Sequence, residues 1–369
     1  MTGFRKVIER PSRERSGSRR IGGRGRPDVI HVLPEAALGG AERTVLDLLS
    51  SPTLTDLDQR VLFVSRKPNA VFPPELVVPQ VGPPALGPVG AVLALVRARP
   101  RVAHGWLLRG NLTACLAKLL RRDLLVITSE RNLGHTLTRS KRLAERLVAL
   151  IENLATANSS AVRGAAVQRI PRRAGRFRVI APGVTALRQD SVESTSGVMV
   201  GRLHPVKDHE TALRAWTRVV RERTDATLAI LGDGPERERL EGRIAALGLD
   251  SSVRLLGDRS PWPYLYGSRL FLSTSRAEGF SRAMLEALAT GLPIVTTATG
   301  GSRELPDEAT WLAAVGDDGK LAEHILALLA DEEAREQAGR AALHGARELF
   351  SVTRCHEHYR ALYASVGIG

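Results

Sequence analysis

Two glutamates with seven residues between them, Glu278 and Glu286, are the pair in this sequence whose type and spacing most suggest chemistry. Glu278 stands in a polar loop after the apolar run Leu270–Thr274. Glu286 stands inside a helical pattern, Arg282–Thr290, that is apolar on nearly every side. A carboxylate in such a helix is expected to be buried, and a buried carboxylate needs a partner. Two partners are open to it: Arg282, four residues back and in the weaker orientation for a helical ion pair, or the hydroxyl groups of a ligand. Around this pair the chain reads strand, loop, helix, strand, Gly300–Gly301 loop and the start of a further helix. Ser281 is placed to N-cap the helix, Gly291 ends it, and Pro293 forbids its continuation. Two successive strand-to-helix loops on one sheet edge present unpaired N–H groups and so make a place for an anion.

The elements that must position these residues form two βα series. In the first, the runs Val29–Leu33, Arg60–Val64, Val102–Trp106 and Leu124–Ser129 alternate with helical patterns after Gly39–Gly40, over Gly87–Ala98, Asn111–Leu120 and Arg139–Leu154. Short strands at Ala155–Ser159 and Arg178–Ala181 close the series. In the second, the strands Gly197–Val200, Thr227–Leu231, Val253–Leu256 and the opening stretch alternate with helices over Asp208–Arg223 and Arg237–Leu247. Helices over Leu321–Ala330, Glu332–Leu349 and Val352–Tyr363 end the chain. Such alternation predicts parallel sheets covered on both faces. The fold class is therefore α/β, with two Rossmann-like, doubly wound domains facing a central cleft. The expected division is a basic disordered tail over 1–27, a first domain over 28–184, a linker over 185–196 and a second domain over 197–350. Residues 351–369 form a C-terminal helix expected to pack back on the first domain. The Pro-rich segment 68–88 is read as a surface excursion.

Composition sets limits. The 369 residues suffice for two domains, and the 43% hydrophobic content is globular. Aromatics at 4% argue against base-stacking platforms, and no nucleic-acid motif accompanies the +14 charge. Residues 1–26 hold nine basic side chains against Glu9 and Glu14, half of that net charge. Such a tail is attracted to anionic lipid headgroups at the inner membrane surface, or is simply solvated or an over-extended start. Cys115 and Cys355 show no metal or disulfide spacing, which points to a reducing compartment. With no apolar signal centre or spanning run, the expected location is cytoplasmic, peripheral on the inner membrane face if the tail anchors.

GGAER near the start, GRLHPVKD after the linker, LGDGPE and EGF…LEALATGLPIV…GGSRE, in this order, resemble the retaining glycosyltransferase family 4, with its two-domain GT-B fold. The resemblance covers roughly residues 28–366. It implies a sugar nucleotide as co-substrate and a glycan or lipid-linked acceptor, with no metal and no further cofactor. It gives Arg202 and Lys207 to the donor diphosphate, Glu286 to the ribose hydroxyls and Glu278 to the transferred sugar. The backbone N–H groups of Gly279, Phe280 and Ser281 would meet the sugar or distal phosphate, and the base would lie near Gly257, Asp258 and Arg259. The family reaction is described as front-face attack, in which the departing diphosphate takes the acceptor proton, so a glycosidase-type carboxylate pair is not required. Scarcity of lysine, six in the chain, makes Lys207 the less accidental of the two cations.

On the first domain, Gly39 and Gly40 would let the backbone approach donor phosphate or acceptor. His104 ends a strand and could reach the reaction centre or be structural. Relatives place a histidine further on, where this chain has Leu108-Arg109, so Arg109 could take that role or bind acceptor charge. Glu130, Arg131 and Asn132, in a Ser-Glu-Arg-Asn loop, are assigned to the acceptor side by the same resemblance. Pro182-Gly183 departs from the family's Asn-Gly. Asp56-Leu57-Asp58 spells a metal-binding DxD but precedes its strand, and is read as a helix-to-strand loop. Two other readings stay open: a different reaction of this fold, such as nucleotide-sugar epimerisation, and a non-catalytic scaffold that binds a sugar nucleotide.

Overall fold

A computed structural model describes residues 25–36, 39–65, 79–82, 86–134, 138–186, 190 and 194–368. The tail up to residue 24 and much of the Pro-rich segment and the linker lie outside the described residues. The first sheet holds β1 (Val29–Glu35), β2 (Gln59–Ser65), β3 (Val102–Trp106), β4 (Leu125–Glu130), β5 (Leu154–Ala157) and β6 (Phe177–Val179), in the order β2-β1-β3-β4-β5-β6. The second holds β7 (Thr195–Val200), β8 (Leu228–Leu231), β9 (Val253–Gly257), β10 (Ser268–Ser273), β11 (Ile294–Thr297) and β12 (Thr310–Ala313), in the order β12-β11-β10-β7-β8-β9. Every strand pairing within them is parallel. All strand C-termini of a sheet therefore open on one edge, where ligands of such sheets bind.

Helices α1 (Gly40–Leu49), α2 (Gly87–Ala98), α3 (Leu107–Leu120), α4 (Arg139–Ile151) and α5 (Ser160–Arg169) serve the first sheet. The core between α2, α3, α4 and the strands is aliphatic, built on Ile30, Leu62, Leu95, Val126 and Val148. The opposite face packs α1 and the C-terminal helix α12, numbered after α6 (His209–Glu222), α7 (Arg237–Ala246), α8 (Trp262–Gly267), α9 (Arg282–Ala289), α10 (Asp318–Ala330) and α11 (Glu332–Glu348). Helix α12 (Val352–Ala364) sends Tyr359 and Tyr363 into the first domain's core against Trp106.

Several local readings change. Helix α3 begins at Leu107, directly at the end of β3, because Leu107 takes a left-handed conformation (φ 58°) that turns the chain without a loop. The pattern read as one helix to Leu154 stops at Ile151, since Leu154 pairs into β5. Helix α5 escaped the sequence reading; Ser159 caps it by accepting from the Val162 N–H. The Gly300–Gly301 segment forms only a 3-10 turn, Gly300–Glu304.

Candidate functional site

The loop after β7 carries Arg202 and Lys207, and it is held by the end of β10. The Thr274 hydroxyl donates to the carbonyls of Lys207 (3.0 Å) and Asp208 (2.8 Å), and the Arg276 N–H donates to the Val206 carbonyl (2.8 Å). This docking places the Lys207 ammonium against the Glu278 carboxylate as an ion pair, with both side chains about one-fifth exposed. Arg202 is exposed and enters no ion pair among the described residues. A cation pair and a carboxylate thus stand where the strands β7 and β10 end.

Beside them, Gly279, Phe280 and Ser281 lead into α9. Among the described residues no protein acceptor takes their backbone N–H groups. The Ser281 side chain makes no capping bond, so the helix entrance keeps its donors open. The loop after β11 braces this entrance from below. Gly300 (φ 41°) lies so close that a Cβ there would sit 1.7 Å from the Glu278 carbonyl, and the Gly301 N–H donates to the Gly279 carbonyl at 2.8 Å. The Phe280 ring turns away into the core, edge-on to Phe350.

Glu286 is buried on α9, at 5% exposure. Of the two partners weighed for it, Arg282 has to be revised. Arg282 lies 3.5 Å from it, but its stronger contact is with Asp47 of α1, at 2.8 Å. The Arg282 Nε is itself buried with no hydrogen-bond partner. A second cation, Arg43 of α1, stands 3.6 Å from Glu286. Arg43 and Asp47 on α1 thus face Glu286 and Arg282 on α9 as a charge ladder between the domains, which the spacing of neither helix reveals alone. Burial pushes the Glu286 carboxyl above its ordinary range, and Arg282 and Arg43 hold it down in part. The carboxylate is near cations but poorly hydrogen-bonded, so it retains acceptor capacity for hydroxyl groups.

The first domain closes on this loop. A Cβ on Gly279 would lie 2.2 Å from the Arg131 carbonyl oxygen at the end of β4. The Glu304 carboxylate accepts from the Ser160 N–H at the start of α5, at 2.6 Å. Gly39 caps α1, and Gly40 is exposed beside it. Glu42 folds back there, its carboxyl pushed up by burial and drawn down by the N–H groups at its own helix start. Arg109, in the first turn of α3, is half-exposed and faces Glu35 at 3.7 Å, so it does stand at the strand C-terminal edge.

Three first-domain assignments need correction. His104 is wholly buried: one ring nitrogen bonds the Tyr363 hydroxyl and the other the Ser129 hydroxyl, both at 2.9 Å, and the ring stacks on Trp106. The pleat of β3 aims it at α12 rather than the cleft. Burial, with His31 and Arg131 nearby, drives its pKa well below the ordinary value, so the ring is a neutral structural link. Glu130 turns to Arg173, a fully buried cation shared with Glu152. With Asn132, Leu107, Leu108, Glu145 and Arg169 it lines a small cavity of about 60 Å³, so it binds inward and does not present a free carboxylate. The Arg131 side chain folds back over Trp106 and donates to the Thr44 hydroxyl at 3.1 Å, and only its backbone faces the second domain. Asn132 is exposed. Asp56 and Asp58 are engaged by Arg360 and Arg60, as befits a helix-to-strand loop.

Known proteins supply context for this geometry. Residues 193–344 match the family of glycosyl transferases group 1. The chain is 33% identical over 158 residues to an N-acetylgalactosamine-N,N'-diacetylbacillosaminyl-diphospho-undecaprenol 4-alpha-N-acetylgalactosaminyltransferase of Campylobacter jejuni, covering 42% of each chain. It is 30% identical over 172 residues to an N-acetyl-alpha-D-glucosaminyl L-malate synthase of Bacillus anthracis, covering 46% of this chain and 45% of that protein. The alignments thus span under half the length of these relatives. Anabaena HepE in complex with UDP and glucose superposes with a TM-score of 0.80 at 20% identity, over 92% of this chain and all of that one. The lipopolysaccharide outer core galactosyltransferase WaaB superposes with a TM-score of 0.72 at 18% identity, over 91% and 99%. Residues 193–344 are accordingly similar to the glycosyl transferases group 1 family, and the chain that carries them has the two-domain GT-B fold.

Proposed function

We propose that this chain is a retaining glycosyltransferase that moves a sugar from a nucleotide-diphosphate sugar to a glycan or lipid-linked acceptor at the cytoplasmic membrane face, for a surface polysaccharide or glycolipid. The observation that carries the reading is the conjunction of Lys207, paired with Glu278, and the open N–H groups of Gly279–Ser281 on one sheet edge, next to the buried Glu286, whose nearest cations stand 3.5 and 3.6 Å away. A sugar nucleotide has the complementary chemistry: two phosphate charges, a ribose diol and a hydroxylated ring. The names of relatives and fold neighbours, with a diphospho-undecaprenol acceptor in one and bound UDP in another, agree with both substrate classes.

In this reading Arg202 and Lys207 take the diphosphate, each charge-assisted contact contributing roughly 1.5–3 kcal/mol. Glu286 accepts from the ribose hydroxyls and Glu278 from the transferred sugar. The bond between the anomeric carbon and the phosphate oxygen breaks, and its electron pair leaves with the diphosphate. The acceptor oxygen bonds the anomeric carbon from the same face, and its proton passes to the departing phosphate oxygen. The protein supplies position and charge stabilisation for the leaving group, and two cations with helix-entrance N–H groups do this without a metal. Arg109, exposed at the lip, would meet charge on the acceptor.

The test is calorimetric titration with a panel of nucleotide sugars, followed by transfer assays with and without chelator and anomeric assignment of the product by NMR. One donor is expected to bind and to give a product of retained configuration in chelator. Failure of every sugar nucleotide to bind would refute the reading. Glu286→Gln is expected to weaken the donor by about 1–3 kcal/mol, roughly 5- to 150-fold in Kd, through an imperfectly satisfied buried diol; unchanged affinity would return Glu286 to a purely structural role with Arg282.

A further inference from the structure

We propose that the outer face of helices α2, α3 and α4 is a docking surface for an anionic lipid bilayer. Of the nine large exposed hydrophobic side chains among the described residues, six lie on these three helices: Val89, Leu93, Leu119, Leu120, Leu143 and Leu150. They form stripes. Val89, Leu93 and Arg97 recur every fourth residue on α2, and Arg139, Arg142, Leu143, Arg146 and Leu150 follow one exposed side of α4. Helix α3 packs between the other two, so the stripes share one layer. Between the C-terminal turns of α3 and α4 runs an open groove of about 450 Å³, bordered by Lys118, Leu119, Arg122 and Leu150.

The unpaired charge of this layer is positive: Asp123, beside Arg122, is taken by Arg121 and Arg26, and Glu152 at the groove is buried against Arg173. The exposed side chains of Arg97, Arg122, Arg139, Lys141, Arg142 and Arg146 enter no ion pair among the described residues. Helices α2 and α3 contain no acidic residue, and the one on α4, Glu145, is buried against Arg169. On the second domain several exposed cations are matched: Arg214 and Arg218 meet Asp318, and Arg239 and Arg243 meet Glu210. Unpaired basic groups among exposed leucines suit a surface that offers phosphate charge and hydrocarbon together, which is an anionic bilayer. The chain's own basic tail and a second copy of this face carry the same sign and are repelled. Nucleic acid would leave the leucines without a counterpart, and no aromatic side chain stands among them for base stacking. The docking proposal itself does not require the transfer reaction.

The experiment is flotation of the full chain with phosphatidylcholine vesicles, with and without phosphatidylglycerol. Binding is expected only with the anionic lipid and should fall as salt rises. Arg142→Glu/Arg146→Glu should weaken the vesicle partition by roughly 30-fold or more from the two lost positive charges alone, and Leu143→Ser/Leu150→Ser should weaken it at unchanged net charge. Arg347→Glu, on the exposed side of α11, should leave it unchanged, and circular dichroism with sugar-nucleotide affinity confirms that each variant is folded. The proposal is overturned if both paired variants float like the unaltered chain. It is equally overturned if binding is lost only on deleting residues 1–26, or if the α4 variants lose a duplex DNA probe instead of vesicles.

Discussion

Gly279→Ala should disable the closed arrangement of the two domains while sparing nucleotide binding. The added Cβ would lie 2.2 Å from the Arg131 carbonyl oxygen, 3.0 Å from its carbonyl carbon and 3.1 Å from Val162 Cγ2. Real Cβ atoms do not approach closer than about 3.0 Å, so something must yield by about 0.8 Å or more. Local give is limited on both sides. The Gly279 loop is pinned by the Gly301 N–H and by Gly300 beneath Glu278, and Arg131 follows directly on β4. The second domain as a whole must therefore back away. A misplacement near 1 Å costs on the order of 100-fold in rate, about 2.7 kcal/mol of transition-state stabilisation. The assay is steady-state transfer together with calorimetric nucleotide affinity and small-angle scattering. The expected result is kcat lowered about 100-fold, nucleotide Kd within about twofold because alanine keeps the N–H, and a larger radius of gyration. Val162→Ala in the same chain should not rescue, since the limiting contact is the carbonyl oxygen. Full transfer activity in Gly279→Ala, or rescue by Val162→Ala, would refute the reasoning.

Two stability effects follow from buried charge. Burial lowers the pKa of His31 and of His209 to about 4. The unfolded chain, with histidines near 6.5, therefore binds protons first, and stability is lost as pH falls from about 6.5 toward 4, by up to about 3 kcal/mol per histidine. Denaturant melts across that window should show it, with a shallower slope in His31→Gln; a flat profile above pH 5 would contradict the burial argument. Arg173→Met should cost about 3–5 kcal/mol by stranding the Glu130 and Glu152 carboxylates. A melting temperature unchanged in that variant would show that the cluster contributes nothing.

Much of the second domain's strand edge was legible in the sequence because its determinants are local. Strand, loop and helix alternate in a regular period, and the residues that follow a parallel strand must emerge on one edge of the sheet. That places Arg202, Lys207, Glu278 and the Gly279–Ser281 N–H groups together with no knowledge of packing. The first domain was harder to read. His104 and Glu130 both end strands, but the face a strand-end side chain takes depends on what covers each side. Here that is α12, more than 200 residues further on, and Arg173 beyond α5. Arg131 reads as a free cation in a loop, yet an indole face and a threonine hydroxyl claim it.

Glu286 divides between the two kinds of information. Its helix, its burial and its need for a partner follow from the sequence alone, because the apolar residues around it leave few alternatives. Which cations stand near it was decided by the approach of α1, which brings Arg43 and Asp47 across the domain boundary to Glu286 and Arg282. A single helix determines which of its own residues share a face; what that face meets is a property of two elements at once, and only the tertiary structure brings them together.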